Sequence, residues 1–276
     1  PVVSRQLFWF KAPAALAELG VMGVVLMLLR ARGRPLEHVL IYAWCPLPIF
    51  EFWATGHNDS LVLLPLLLAV ALRPRWTAVF LSLATAAKFW PALLIPSLVD
   101  FRRRQILAFG AIFCVILVLF FAPYAANLTQ NAQFATGFLG GWRNNDSLHA
   151  LIAGAAGDPY RAKYITMGLI GAAALGVGLT RWRVEARVLA VIVTILALSA
   201  NVHPWYLTWM IPLLALYPIP GLLLWTSLAP LAYGALIEWT ILGAWNGLSP
   251  LRWLVYAPVA AVLAWDLSRL SSRRRS

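Results

Sequence analysis

The sequence predicts an all-α fold, a polytopic transmembrane helical bundle, and three observations carry that prediction. The chain is 62% hydrophobic and only 12% charged, well outside the composition of soluble domains. Its apolar runs are continuous, without the alternation of lipid-facing and lumen-facing positions that a transmembrane β-barrel needs. Fifteen of its 22 basic residues fall in short clusters between those runs or at the tail: Arg30, Arg32 and Arg34; Arg73 and Arg75; Arg102 to Arg104; Arg181, Arg183 and Arg187; and Arg269 with Arg273 to Arg275. The net charge of +12 is therefore topological, set by the preference of Lys and Arg for cytoplasmic loops and anionic headgroups. Nucleic acid is not an expected partner; membrane lipid is.

Placing every basic cluster in the cytoplasm threads the chain in one way. Residues 1–11 begin outside, and 12–29 descend to the Arg30–Arg34 cluster. Residues 39–54 rise to a polar mouth at 56–60, and 61–72 return to Arg73. Only 26 residues separate Arg75 from Arg102, too few for two full crossings at about 20 residues each. A re-entrant hairpin solves this: 76–87 go in, Lys88-Phe89-Trp90-Pro91 turns, and 92–98 come back. Non-helical backbone at that depth is tolerated only against protein or water, so Lys88 is expected to face a cavity.

Residues 106–121 rise, and 124–160 form the longest polar stretch, an external loop region. Residues 164–180 descend, 188–200 rise to Asn201-Val202-His203-Pro204, and 205–217 descend to Pro218 and Pro220. Residues 221–237 rise, 238–250 lie outside, and 253–267 descend to the basic tail. The expectation is about nine crossings plus the hairpin, in a single transmembrane domain over 1–276 with no internal repeat. The chain opens on Pro1 rather than Met and is read as lacking its first span and first external loop. Cys45 and Cys114 lie inside apolar runs, where a thiol behaves as a small hydrophobe; no disulfide framework or metal-ligand spacing is present.

This threading uses Arg and Lys alone, yet it gathers the remaining polar residues on the outer face. His57, His149 and His203 arrive there, with Asn58, Asp59, Asn144, Asn145, Asp146, Asn201, Tyr206 and Glu238; only His38 falls on the cytoplasmic side. A one-sided set of titratable and hydroxyl-binding groups on an apolar bundle points to a site. Each element also has a plainer explanation. Asn58 or Asp59 can cap the helix that follows, Lys88 can snorkel, and His203-Pro204-Trp205-Tyr206 can be an interfacial aromatic belt. Capping leaves His57 unexplained, and Glu51 is an acid inside an apolar segment, rare without a cavity or partner. Trp142-Arg143-Asn144-Asn145-Asp146 lies in a loop too long for an idle connection. Lys11 and Glu18 are two helical turns apart and can face one groove, through a salt link shared with a third group if their role is structural.

The order Lys11-Ala12-Pro13 with an acid at Glu18, then Gly56-His57-Asn58-Asp59, then Lys88 followed by Pro91, then His203-Pro204-Trp205-Tyr206 resembles the GT-C superfamily. More narrowly it resembles the bacterial family 87 mannosyltransferases that use polyprenyl-phosphate sugars. The resemblance covers essentially the whole chain, with Glu18 where such proteins usually carry Asp. It implies transfer of a hexose, mannose in that family, from a polyprenyl-phosphate donor to a glycan or glycolipid acceptor by inverting displacement. It further implies a bacterial plasma-membrane protein with an extracytoplasmic active site and no metal, nucleotide-sugar or other cofactor. The family's general base is an Asp of the first external loop, which this chain is read as lacking. Asp59 is then the best remaining catalytic acid, with Asp146 next. Lys88, Arg143 and His203 are candidate phosphate partners, Lys as a point charge and Arg as a fork. His57 and Asn58 suit sugar hydroxyls, and Lys11, Glu18, Glu51, Asn144, Asn145, Asp146 and Tyr206 complete the expected substrate-binding set. A transporter or lipid-linked-sugar flippase is the alternative; such folds favour inverted repeats and paired broken helices, of which the sequence offers one re-entrant segment.

Overall fold

Helix α1 runs Val2–Ala31 and buries one stripe, Ala14, Ala17, Glu18, Val21, Val24, Val25, Leu28 and Leu29, at the three- and four-residue spacing of an amphipathic helix. The computed structural model describes residues 2–99, 106–127, 130, 133, 142–243 and 250–273. The Arg102–Arg104 cluster, part of the expected external loop (128, 129, 131, 132 and 134–141), residues 244–249, and Arg274 and Arg275 lie outside the described residues. Among the described residues all regular structure is helical, with a lone parallel bridge between Asn144 and Asn201.

The stripe of α1 packs along α2, Ser60–Ala71. The two helices run parallel: Ser60 Oγ donates to the Ala14 carbonyl at 2.7 Å, and six residues on, a Cβ at Gly20 would stand 2.9 Å from Leu64 Cδ1. Helix α3, Thr77–Ala87, returns along α2, with Thr77 Oγ1 donating to the Ala69 carbonyl. Lys88 then takes an extended conformation (φ −152°, ψ 143°), and the chain folds back through a 3-10 turn, Trp90–Leu94, and a short helix, Ile95–Leu98. That is the shape expected of the hairpin. Helices α2 and α3 have 12 and 11 residues, so each is about 17 Å long, short of the roughly 30 Å of a hydrocarbon core.

Segment 39–54, expected as one crossing, is broken. It comprises a 3-10 turn Leu36–Val39, a helix Leu40–Ala43, a turn Pro46–Pro48 and a π-helical turn Ile49–Thr55. Pro46 and Pro48 have no N–H to extend a helix from the preceding turn, and left-handed Gly56 (φ 81°, ψ 28°) ends the π-turn.

Helix α4, Ile106–Phe121, has no buried residue, and its span Ile106–Asn127 has a mean hydropathy of 2.8. Helices α5 (Leu148–Ala156), α6 (Pro159–Gly178) and α7 (Val184–Leu198) follow, with the Asp158 carboxylate capping α6 through Tyr160 N. Segment 205–217 is not a single helix either: a 3-10 turn Pro204–Trp209 leads into a helical turn Ile211–Leu214. Helix α8 (Pro220–Leu228) continues through a 3-10 turn, Ala229–Tyr233, into α9 (Gly234–Leu242). Helix α10, Trp253–Arg273, runs back along α8, with Gly221 N donating to Asp266 Oδ2. Three stretches, Lys11–Ala31, Ile106–Asn127 and Pro220–Leu242, are long and apolar enough to cross a membrane.

The bundle has two poles. At one, Arg32 binds Glu185 (Nη2–Oε1 2.5 Å), Arg187 donates to the Gly178 carbonyl, and His38 Nδ1 meets the Ala215 carbonyl at 3.1 Å. The parallel run of α1 and α2 brings Arg73 and Arg75 to this basic pole as well. At the other pole, Ser147 Oγ donates to the Ala197 carbonyl at the end of α7, and Tyr256 reaches Asn145 from the start of α10.

Candidate active site

The π-turn Ile49–Thr55 places Glu51 wholly inside the protein. A π-turn widens a helix by one residue and commonly marks a functional position. Lys11 and Glu18 hold this turn from α1 rather than pairing with each other. The Lys11 ammonium donates to the Ala54 carbonyl at 2.5 Å, and the Trp53 indole N–H donates to Glu18. Gly56 is glycine for two reasons: its φ is +81°, and a Cβ there would lie 2.9 Å from Lys11 Cγ.

Around Glu51 the donors converge. His57 Nδ1 lies 2.9 Å from its Oε2, the Tyr233 hydroxyl donates to Oε1, and Thr55 Oγ1 stands 3.3 Å from Oε2 and 2.7 Å from His57 Nδ1. Glu51 and His57 are thus one unit, and the exposed Asn58 stands beside it.

Asp59 occupies the N-cap position of α2 but makes no capping bond. Its Oδ1 instead accepts from Lys88 Nζ at 2.5 Å and from the Trp209 indole at 2.6 Å. The carboxylate is 0% exposed, and its Oδ2 is buried without a partner among the described residues. The Lys88 ammonium also sits 5.4 Å from the Tyr206 ring centroid and 5.7 Å from that of Trp209, within cation–π range. Trp209 stacks on Tyr206 at 4.6 Å and on Trp90 at 4.5 Å. Lys88 is therefore a fixed charge in an aromatic cage at the hairpin tip.

The turn before Pro204 closes this arrangement. Trp205 stacks on His203 at 4.2 Å and on His57 at 4.1 Å. Asn144 Nδ2 lies 3.2 Å from His203 Nδ1, an amide donor facing an imidazole lone pair. Burial, with the His57 and Lys88 charges adding to it and Glu51 opposing, pushes the His203 pKa down to about 4.

Loop 142–147 is locked by a charge knot. Arg143 Nε and Nη2 both donate to Asp146 Oδ2, at 2.9 and 2.5 Å, and Arg252 Nη1 donates to Oδ1 at 3.1 Å. Asn145 takes a left-handed φ of 47°, its carbonyl accepts from the Tyr256 hydroxyl, and its amide donates to the Val202 carbonyl. Asn144 exchanges backbone bonds with Ala200 and Val202. The loop so tethers Asn144 beside His203. His149 turns away from this centre, fully buried with Nδ1 3.4 Å from Thr166 Oγ1, and burial lowers its pKa.

Four contributors escape a reading of the sequence. Trp209, Tyr233 and Trp53 look like lipid-belt or core aromatics, and Arg252 lies 106 residues from its partner Asp146, with no periodic pattern linking them. Tyr206, expected to bind substrate, packs against Trp209 and Lys88. Among the described residues no three His, Cys, Asp or Glu side chains gather as a metal-ligand set.

A groove of about 760 Å³ opens at this pole, walled by Phe50, Thr55, His57, Trp205 and Tyr233 on one side and by Leu236, Ile237, Thr240 and Ile241 of α9 on the other. It is mostly apolar and carries an imidazole. A second cavity, about 640 Å³, lies at the basic pole beside Arg73 and Arg75, away from every residue above except by way of the bundle.

A family model described as glycosyltransferase family 87 matches residues 7–201. The match takes in Lys11, Glu18, Glu51, the 56–59 tetrad, Lys88 and the 143–146 loop, and stops two residues before His203. No curated protein matches the chain, and no solved structure does.

Proposed function

The chain belongs to glycosyltransferase family 87, and from that premise we propose that this membrane glycosyltransferase moves a hexose, mannose in the first instance, from a polyprenyl-phosphate donor to a hydroxyl of a glycan or glycolipid. The observation that carries this reading is an apolar groove walled by His57 and Trp205, with Trp205 packed edge-on against Tyr206, the ring that the Lys88 ammonium faces. A polyprenyl chain needs apolar walls, its phosphate needs a cation, and the acceptor hydroxyl needs a proton acceptor.

Leu236, Ile237 and Ile241 of α9 suit the isoprenoid. Lys88 supplies a point charge for the phosphate, oriented by Asp59 and the aromatic cage. Lys11 supplies a second: among the described residues its ammonium has a carbonyl partner and no carboxylate. In this reading Asp59 is a positioning residue, since its carboxylate already holds the Lys88 ammonium and the Trp209 indole. The Arg143–Asp146–Arg252 knot positions Asn144 and Asn145 for sugar hydroxyls, and neutral His203 adds a hydrogen-bonding group.

An inverting displacement places the acceptor hydroxyl opposite the leaving phosphate, converting a β-linked donor into an α-glycoside. Preorganised charge at the phosphate favours the transition state, in which negative charge grows on the bridging oxygen. In this reading the basic pole lies in the cytoplasm of a bacterial cell, following the preference of Lys and Arg for the cytoplasmic side, and the site faces the extracytoplasmic side of the plasma membrane. The shorter segments then complete the crossings that the three long helices begin.

The test is transfer in proteoliposomes from polyprenyl-phosphate [14C]mannose or the glucose analogue to octyl mannoside or a membrane glycolipid extract. Label in a new glycoside, lost in Lys88→Met, is the expected result. Donor accumulating inside the vesicles without a covalent product would replace the transferase by a transporter.

A further inference from the structure

At the base of the hairpin whose tip is Lys88, a cavity of about 640 Å³ lies between the α2–α3 turn and the first two turns of α4. Its rim is cationic. The turn brings Arg73 and Arg75 to it, and no carboxylate stands among the described residues that line it. Its walls are apolar, built by Leu98 from the returning arm of the hairpin and by Ile106, Phe109 and Ile112 of α4. From Ile106 to Ile112 that wall runs about 9 Å along the helix axis. Ile112 is 42% exposed and Leu107 80%, on a helix with no buried residue and a mean hydropathy of 2.8 over its span. The cavity therefore borders hydrocarbon along α4 and carries its charge at the turn.

Arg75 is oriented there without being neutralised. Its guanidinium carbon lies 5.4 Å from the Trp76 ring centroid, and among the described residues it has no carboxylate partner, whereas Arg32 at the same pole is paired with Glu185. A ring contact leaves the charge in place, and Trp76, 44% exposed, is a residue type that settles at the membrane–water boundary. The planar guanidinium fork matches a phosphate with two parallel hydrogen bonds. Free phosphate would meet the charge and leave the apolar walls unfilled; a neutral lipid would fill the walls and leave the charge unmet. We propose that this cavity binds an anionic phospholipid from the leaflet at the basic pole. Its phosphate lies on Arg75 with Arg73 as the second charge, and the upper part of one acyl chain lies along Leu98, Phe109 and Ile112. Basic pockets between membrane helices recruit anionic headgroups in this way. The lipid fills the space between α4 and the returning arm of the hairpin, and so braces at its base the element that presents Lys88 at its tip. This inference stands apart from the transferase reading and involves no reaction.

The test reconstitutes the chain in phosphatidylcholine vesicles containing phosphatidylglycerol with a diazirine near the glycerol end of one acyl chain, and maps the adducts after irradiation. The expected adducts fall on Phe109 or Ile112 and are competed by unlabelled phosphatidylglycerol, but not by phosphatidylcholine or inorganic phosphate. In Arg75→Gln the phosphatidylglycerol fraction that half-saturates labelling rises about 5-fold, the weight of one arginine at a membrane surface. Arg75→Lys, which keeps the charge and loses the fork, falls between the two. Ala108→Phe, which narrows the cavity at constant charge, weakens labelling as well. Arg181→Gln, at the same pole and outside the cavity lining, leaves labelling unchanged. Equal weakening in Arg181→Gln and Arg75→Gln would reduce the effect to diffuse surface charge and overturn the site. Competition by inorganic phosphate would make it an anion site with no lipid, and displacement by polyprenyl-phosphate mannose at lower concentration than phosphatidylglycerol would give the cavity to the donor; either overturns the proposal. No transfer is read in this experiment, so failure of the transferase assay leaves its result standing.

Discussion

Lys88 Nζ lies 2.5 Å from Asp59 Oδ1, tying the end of α3 to the start of α2 at the mouth of the candidate site. Asp59 is 0% exposed and Lys88 26%, so neither water nor lipid can replace the partner on the carboxylate side. The pair determines where the hairpin tip stands, and with it the aromatic cage of Tyr206 and Trp209.

Removing Asp59 therefore strands an ammonium in a cage. Asp59→Asn is expected to cost about 3 kcal/mol of stability, at the lower end of what breaking a buried pair costs, because Lys88 keeps some solvent. In Asp59→Asn/Lys88→Met the loss should be smaller than the sum of the two single losses. Unfolding of the four proteins in detergent measures the coupling; additive losses would mean that the contact contributes nothing.

Gly56→Ala should destabilise by about 1–3 kcal/mol, the cost of a side chain in a left-handed or strained conformation. It should also push the Lys11 side chain off the Ala54 carbonyl, since the new Cβ would stand 2.9 Å from Lys11 Cγ. Thermal unfolding together with donor KM checks this; an unchanged Tm would show that the turn is not left-handed.

Asp146 carries two guanidiniums, so its loss and theirs are unequal. Asp146→Ala leaves Arg143 and Arg252 facing each other and is expected to cost about 3–5 kcal/mol. Arg252→Gln, which leaves the Arg143 fork on Asp146, should cost markedly less. Denaturant midpoints of the two variants decide it, and equal losses would refute the shared-partner geometry.

His203 makes the protein acid-sensitive. Its folded pKa of about 4 lies below the ordinary 6.5, so as pH falls the unfolded chain takes up this proton first. The stability contributed by the neutral imidazole is complete above pH 6.5 and is lost as pH falls through about 4. Between pH 8 and 4 the Tm of wild type should fall more steeply than that of His203→Gln. Parallel curves would contradict the burial of this imidazole.

Charge clustering gave the grouping of polar residues at the two ends of the bundle, among the described residues. The same rule that put Arg30–Arg34, Arg73–Arg75 and Arg181–Arg187 together put the 56–59 tetrad, Lys88 and His203 together, and the described residues sort in that way. The lengths of the elements were less legible. Residues 39–54 carry Pro46 and Pro48, which break the helix that hydropathy counts as continuous, and α2 and α3 stop at little more than half a bilayer. The pairing of side chains was least legible. Asp59 sits at an N-cap, yet its carboxylate bonds Lys88 and Trp209, residues 29 and 150 positions away. Lys11 and Glu18 share a helix face, yet each binds the π-turn instead of the other. Long-range partners of this kind leave no periodic trace.

The central claim is that a lipid-phosphate sugar docks at the Glu51–His57 and Asp59–Lys88 pole with its isoprenoid along α9. Photo-crosslinking in proteoliposomes with a diazirine-bearing polyprenyl-phosphate mannose measures this directly. Adducts on Leu236, Ile237 or Ile241, competed by unlabelled donor and weakened in Lys88→Met, are the predicted result. Adducts confined to the opposite cavity, on Thr77, Phe109 or Ile112 beside Arg73 and Arg75, would contradict it.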